Sequence, residues 1–387
     1  MGDRSKTMPE LTIGHDLLKA IPKADLHVHL DGSLRIETMI ELAAGAGLEL
    51  PADQPEDLKR ALRLGEIRTD LVEYLRPFEH TIAVLQTYDA LRRVAFELAE
   101  DAAHENVAYM EVRYSPILHT EQGLRRDQVV QAVLDGLAQA ERKYDILTGV
   151  ILCGMRNISP ESSLQLAELA VAFKNRGVVG FDLAGAEEDY PAKHHRQAFY
   201  LILNNNINCT LHAGEAYGPE SVAQAVHYCG AHRIGHGVRL REDGDLLNYV
   251  NDHRIPLEMC VSSNVQTGSA RSLDRHPFKF YLDLGLRVTL NTDNRLVTDT
   301  TVTREYLIAA QQWKLTLQEL RWVMINGFKS AFLPFRDKKM LLRRVTTAFD
   351  AAVADAMGIE ISDAPKEWMG DPGETGEVVL PGGRQEK

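Results

Sequence analysis

One repeated alternation constrains this chain more than any other feature. Short runs rich in β-branched and apolar residues recur, and longer amphipathic helical patterns separate them. Candidate strands fall at residues 24–30 (ADLHVHL), 107–114 (VAYMEVRY), 146–153 (ILTGVILC) and 178–183 (VVGFDL). They continue at 208–212 (NCTLH), 233–236 (RIGH), 256–261 (PLEMCV) and 286–291 (LRVTLN). Between them lie helical patterns such as 128–143 and 160–176, the latter placing Leu164, Leu166, Leu169, Ala170 and Phe173 on one face. Strands alternating with helices imply a parallel sheet. Eight such units fit an α/β fold closed as a (β/α)₈ TIM-type barrel. An open doubly wound sheet is the rival, but its glycine-rich phosphate fingerprint is missing after the first strand.

The spacing is uneven, and the unevenness is informative. Residues 33–105 hold helical patterns (38–46, 90–104) without a good strand, which predicts a helical insertion after strand 1. Patterns at 318–329 and 339–356 read as closing helices, and the Pro-, Gly- and charge-rich stretch from 362 reads as a flexible tail. The expected organisation is an N-terminal extension over 1–20, a single barrel domain over 21–360 and a tail over 361–387.

Composition narrows the class of partner. With 43 Lys+Arg against 55 Asp+Glu, the net charge of −12 argues against a protein that tracks a phosphate backbone. No apolar run approaches the roughly 18 residues that span a bilayer, and the start MGDRSKTMPELTIGHD has no signal-peptide core. Cys153, Cys209, Cys229 and Cys260 are scattered, without C-x-x-C, and read as buried thiols in a reducing compartment. The expectation is a cytoplasmic protein with no nucleic-acid or membrane partner. A homo-oligomer is compatible with the sequence.

Barrel enzymes place their chemistry at the C-terminal ends of strands. Four strand ends here carry metal-ligand side chains. In His27-Val28-His29 the alternation of strand side chains turns both imidazoles to the interior. His212 ends its strand, with Glu215 on the loop behind it. His236 stands between Gly235 and Gly237, which allow a close approach. Asp293 follows the apolar run LRVTL, where a carboxylate is costly to desolvate unless it is paired or metal-bound. Each has a bland alternative: paired core histidines, a solvated loop Glu, an Asx turn. Together they match a nitrogen/oxygen site for zinc, held by His27, His29, His212 and Asp293 with room for water. Metal binding lowers the pKa of such a water from 15.7 toward roughly 7. Glu215 and His236 then supply the proton-transfer groups.

The segments PKADLHVHLDGSL, EVRYSP, DLAGAE, HAGEA, IGHG and NTDN, in this order, closely resemble the adenosine deaminase family of metal-dependent amidohydrolases, and the resemblance runs from about residue 21 to 332. It implies a zinc-bearing (β/α)₈ barrel with one Zn²⁺ per chain on the four donors above. It further implies that Glu215 protonates purine N1 as water adds at C6, that His236 orients and deprotonates that water, and that Asp293 is a second partner for it. His29, Asp31, Gly185 and Asn294 are implied as substrate contacts: Asp31 to the ribose 5′-hydroxyl, the Gly185 N–H to purine N3, and Asn294 near N7. Many members carry Asp-Asp where this chain has Asp293-Asn294. Purine N7 only accepts, and Asn donates to it without first taking up a proton. A set of bacterial adenosine deaminases resembles this chain in the N-T-D-N-R pattern.

The implied activity is hydrolytic deamination of adenosine and 2′-deoxyadenosine to inosine and 2′-deoxyinosine plus ammonia, with a small purine nucleoside and water as the only partners. The alternatives are the same chemistry on adenine, an N6-substituted adenine nucleoside or aminofutalosine, and, in another class, a catalytically silent barrel that only binds. The H-x-E and P-C-x-x-C signature of base-flipping deaminases is missing. His194 and His195 read as a solvated face, and His104, His227 and His253 either as surface residues or as residues that support the site from behind. Trp313 and Trp322 fit helix packing. Leu71, Leu75 and Phe78 fit either an apolar lid or ordinary core.

Overall fold

The eight strand runs pair side by side in chain order, every neighbour parallel, in a computed structural model that describes residues 13–68 and 71–359. The strands are β1 (Lys23–His29), β2 (Val107–Tyr114), β3 (Leu147–Met155) and β4 (Val178–Ala184), then β5 (Asn208–Ala213), β6 (Arg233–His236), β7 (Leu257–Met259) and β8 (Val288–Leu290). The ring closes between its first and last strands. A parallel bridge joins Val28 to Asp293, the His29 N–H donates to the Asp293 carbonyl at 2.7 Å, and the Asp293 N–H donates to the His27 carbonyl at 2.8 Å. The barrel expected from the sequence is therefore present.

The last two strands are shorter than their apolar runs. Cys260 leaves the extended region at φ −122°, ψ 81°, and Val261 already begins a helix, so β7 stops at Met259. Past β8, the Asn291 N–H still donates to the Met259 carbonyl at 3.0 Å, and its side chain adds further bonds. Its Oδ1 accepts from the Leu26 N–H at 2.9 Å, and its Nδ2 donates to the Thr289 hydroxyl at 3.0 Å.

Helices wrap the ring. Before β1 lies α1 (His15–Ala20), with Leu17 and Leu18 buried. Between β1 and β2 come α2 (Ile36–Ala46), α3 (Pro55–Ala61), α4 (Leu71–Leu75), α5 (Phe78–Val84) and α6 (Tyr88–His104). Of these, α6 is the crossover helix of the first βα unit. The Thr87 side chain caps it, and it packs on β2 and on α7 (Arg126–Lys143). The insertion proper is thus α2–α5. Then follow α8 (Pro160–Ala172), α9 (Arg196–Asn204), α10 (Pro219–His227), α11 (Gly244–Asp252), α12 (Val261–Gln266) and α13 (Phe278–Asp283). The chain closes with α14 (Val302–Trp313), α15 (Leu317–Ser330), opened by a Thr316/Glu319 capping box, and α16 (Phe335–Met357).

His104, His227 and His253 are exposed, and Trp313 stacks on Phe278 with ring centroids 4.9 Å apart. His195 departs from its expected solvated face. It is buried, with Nδ1 2.8 Å from the Ser163 hydroxyl, because the 3₁₀ turn Ala192–His195 directs it inward while His194 stays outside. The four cysteines are buried and unpaired. The expected tail, 361–387, lies outside the described residues. No helix among the described residues is long and apolar enough to cross a membrane.

Candidate active site

At the C-terminal rim the barrel opens into a cavity of about 280 Å³. Leu71, Leu75, Phe78 and Ile82 of α4 and α5 form one wall, with Leu118 and Met155, so the insertion residues act as a cover. The polar wall comprises His29, Asp31, His212, Glu215, His236, Asp293 and Asn294, and Gly185 lines the same space. Every site residue expected from the sequence is brought to this one cavity except His27, which is wholly buried just beneath it.

Two of these side chains sit on left-handed backbone, which costs a non-glycine residue of order 1–3 kcal/mol. His236 has φ 64° and Asp293 φ 61°, each at the exit of its strand. Gly185, at φ 94°, faces the same demand, and a Cβ there would come within 2.8 Å of the Asn157 side-chain oxygen.

The donor atoms of His27, His29, His212 and Asp293 converge. The Nε2 atoms of His27 and His29 each lie 3.1 Å from Nε2 of His212, and Asp293 Oδ1 is 3.6 and 3.4 Å from Nε2 of His27 and His29. Ligands at 2.0–2.2 Å around a tetrahedral ion stand roughly 3.4 Å apart. The orientation of the rings supports the same reading. His27 donates from Nδ1 to Glu258 Oε2 at 2.9 Å, and His212 donates from Nδ1 to Asp182 Oδ2 at 3.0 Å. Both Nε2 lone pairs are therefore bare and point at a common centre. Ser263 donates to Asp293 Oδ2 at 2.6 Å and leaves Oδ1 for that centre. The set fits a divalent ion.

A Glu carboxyl stands beside this centre. Burial first, then the charges of Asp293 and Glu187, push the Glu215 carboxyl well above its ordinary range, while Thr267 and Arg156 oppose the shift. These surroundings favour the protonated form of Glu215. Its Oε2 is 3.5 Å from His236 Nε2. Burial, with a smaller effect from Asp293, also raises Asp31 to about 7, and its Oδ1 has no partner. Asn294 Nδ2 donates to the Tyr74 hydroxyl at 3.0 Å, which itself lies 2.6 Å from the Thr298 hydroxyl, so the loop after β8 is tied to the covering helix α4.

A family model described as adenosine deaminase matches residues 22–348. The chain belongs to the adenosine deaminase family. An adenosine deaminase of Mycobacterium sp. (strain JLS) is 45% identical over 338 residues, which cover 83% of this chain and 93% of that one. Among solved structures, an adenine deaminase from Arthrobacter aurescens superposes with a TM-score of 0.79 at 27% identity, covering 85% of this chain and 99% of the other. The apo structure of the N6-methyl-AMP deaminase from Arabidopsis thaliana gives 0.78 at 26% identity, covering 88% and 100%.

Within this family fold the structure adds residues that the sequence reading missed. Glu258, Asp182 and Arg113 support the converging histidines from below: Arg113 donates to Glu258 Oε2 at 2.9 Å and to Asp182 Oδ2 at 3.1 Å. Their signal was a charge inside an otherwise apolar strand run. Glu187 is another. Its carboxylate accepts from the backbone N–H groups of Gly214, Glu215, Ala216 and Tyr217 at 2.6, 3.0, 2.7 and 3.0 Å, which fixes the loop that carries Glu215.

Proposed function

We propose that this chain deaminates adenosine and 2′-deoxyadenosine hydrolytically, to inosine and 2′-deoxyinosine plus ammonia. The proposal assigns one Zn²⁺ per chain to His27, His29, His212 and Asp293. Bound there, the ion would supply Lewis-acid chemistry that makes water nucleophilic at neutral pH. The observation that carries the reading is a buried Glu215 carboxyl, in surroundings that favour its protonated form, lining the same cavity as a converged three-histidine, one-aspartate donor set. Addition at C6 of an aminopurine puts negative charge into the ring. A proton delivered to N1 by Glu215 as addition occurs avoids a buried anion, an effect worth about 10²–10⁴ in rate.

The remaining roles are those the family resemblance implies, and the shared cavity supports them. His236 and Asp293 orient the attacking water. Gly185 offers its N–H to purine N3, and Asp31, with its unpartnered Oδ1, accepts from the ribose 5′-hydroxyl. His29, which lines the same cavity, borders the substrate. Asn294 has committed one amide hydrogen to Tyr74 and keeps the other for N7. The apolar cover excludes water and strengthens these interactions.

A nucleotide substrate is the second reading, and the cavity disfavours it. No Lys or Arg among the described residues lines it, whereas Asp31, Glu79, Glu215 and Asp293 do. A 5′-phosphate would enter without a counter-charge. A cytoplasmic location accords with four unpaired thiols. We take residues 21–360 as one catalytic domain.

The test is metal analysis joined to a substrate panel of adenosine, 2′-deoxyadenosine, adenine, N6-methyladenosine, aminofutalosine and AMP. Turnover highest on the first two is expected. Protein with stoichiometric zinc that leaves adenosine absorbance unchanged sinks the proposal.

A further inference from the structure

His236 is one ring of a longer chain of hydrogen bonds, and that chain starts from a group whose proton is not in question. The backbone N–H of Phe278 donates to Nδ1 of His276 at 3.2 Å. Nδ1 of His276 is therefore an acceptor, and the ring, wholly buried, carries its proton on Nε2. That Nε2–H lies 3.1 Å from Oδ1 of Asn264 and donates to it. The Asn264 amide is thereby oriented, and its Nδ2 faces Nδ1 of His236 at 2.9 Å. An amide nitrogen has only hydrogens to offer, so Nδ1 of His236 must accept. All four residues are buried.

We propose that Phe278, His276 and Asn264 form a relay that fixes His236 as a neutral imidazole with its proton on Nε2, so that His236 meets the attacking oxygen as a hydrogen-bond donor. Asn264 and His276 are positioning residues that act through His236.

Two consequences follow. An Nε2 that already holds a proton cannot take the one released by water, so the role of base implied by the family resemblance passes from His236 to the carboxylate of Asp293, the other partner of that water. A protonated Nε2 also has no lone pair for a metal. The second cluster of converging donors, His236, Cys260 and Asp293, then lacks its imidazole ligand, and the ion site is limited to the four donors centred on His212. Contrast sharpens this reading. His27 and His212 face carboxylates at Nδ1 and expose bare Nε2 atoms, whereas His236 faces an amide N–H and exposes the opposite tautomer. The tautomer stands apart from the deaminase reading; only the donor role toward the attacking oxygen rests on it.

Nitrogen NMR of histidine-labelled protein, metal-loaded and metal-free, tests the proposal, with His236 assigned by the signals lost in His236→Asn. The expected spectrum shows a directly bonded proton on Nε2 and none on Nδ1 in both forms. A proton on Nδ1 overturns the proposal without reference to turnover. Asn264→Asp replaces the amide donor by an acceptor and should move the proton to Nδ1. With the wrong tautomer, kcat should fall on the order of 10²–10⁴-fold while KM stays within a few-fold and metal content is kept. Asn264→Asp with the proton moved and kcat unchanged overturns the catalytic part. His276→Gln, whose amide nitrogen can still donate to Asn264, should retain both the Nε2 proton and kcat, whereas His276→Leu should lose them. Should Asn264→Asp fail to fold, the wild-type spectrum still decides. Absence of adenosine turnover with the Nε2 proton in place would refute the function and leave the relay standing.

Discussion

Glu258 in the floor of the barrel and Asp293 at its rim are both buried carboxylates, yet their surroundings differ in kind. Glu258 accepts from Arg233 Nε and the Thr210 hydroxyl on one oxygen, and from Arg113 and His27 on the other. Arg233 continues to Glu111, and Arg113 to Asp182. These charges complete one another. At the rim, Asp293 Oδ1 and the bare Nε2 atoms of His27 and His212 face one another as acceptors, with Nε2 of His29 beside them. A folded chain does not gather bare acceptors for its own stability, since each loses water and gains nothing. The floor is arranged for the fold, and the rim is arranged for a guest.

Three experiments can break or sharpen that contrast. The largest effect is expected at the rim. Glu215→Gln keeps size and removes the acidic proton, so turnover should fall by about 10²–10⁴ while metal content and melting temperature stay near wild type. Unchanged turnover would remove Glu215 from its role. In the floor the pattern should invert. Arg113→Met leaves Asp182 and Glu258 without their shared cation, and loss of one partner of a buried ion pair costs about 3–5 kcal/mol. Denaturant titration should show this as a lower midpoint, with a weaker metal affinity alongside. A midpoint equal to wild type would mean that the floor is not held by its charges.

The third experiment uses acid. His119 is wholly buried, with Nδ1 at the Leu85 carbonyl and Nε2 3.9 Å from Asp31 Oδ2, beyond hydrogen-bond reach, and burial lowers its pKa to about 4. Its folded value lies below the unfolded 6.5, so the unfolded chain takes up the proton first. Stability is complete above about pH 6.5 and declines as pH falls toward 4, by at most about 3 kcal/mol from this residue. His119→Gln should flatten that part of the curve. Floor carboxylates such as Asp182, which burial alone would raise, are held well below the ordinary range by His212 and Arg113. Their loss begins only below about pH 4. An identical slope between pH 6.5 and 4 in the variant would assign acid sensitivity elsewhere.

The alternation of short strands and amphipathic helices made the barrel legible, because parallel strands covered on both faces must be apolar along their length. The strand-end histidines were legible for the same reason, as polar residues at the end of apolar runs. What stayed hidden was whatever depends on contacts distant in sequence. Asp182, Glu258 and Arg113 stood in plain view inside VVGFDL, PLEMCV and VAYMEVRY, but their purpose appears only when β2, β4 and β7 place them under one ring of histidines. Asn264 and His276 lie on and just before short helices with no pattern of their own. His195 was misplaced because a 3₁₀ turn turns one of two adjacent histidines inward, which no helical period anticipates. The short helices α3 to α5 also have too few residues to show a periodicity.

The bridge between Val28 and Asp293 has a temporal consequence. His27 and His29 emerge early in synthesis, yet Asp293 follows His29 by 293 − 29 = 264 residues. No nascent chain shorter than 293 residues can offer all four donors, so it stays a poor competitor for cellular metal until about three-quarters of the 387 residues have been made. Ion capture then coincides with closure of the ring and staples its first strand to its last. Occupancy of the site is in this sense a record that the whole barrel has been assembled.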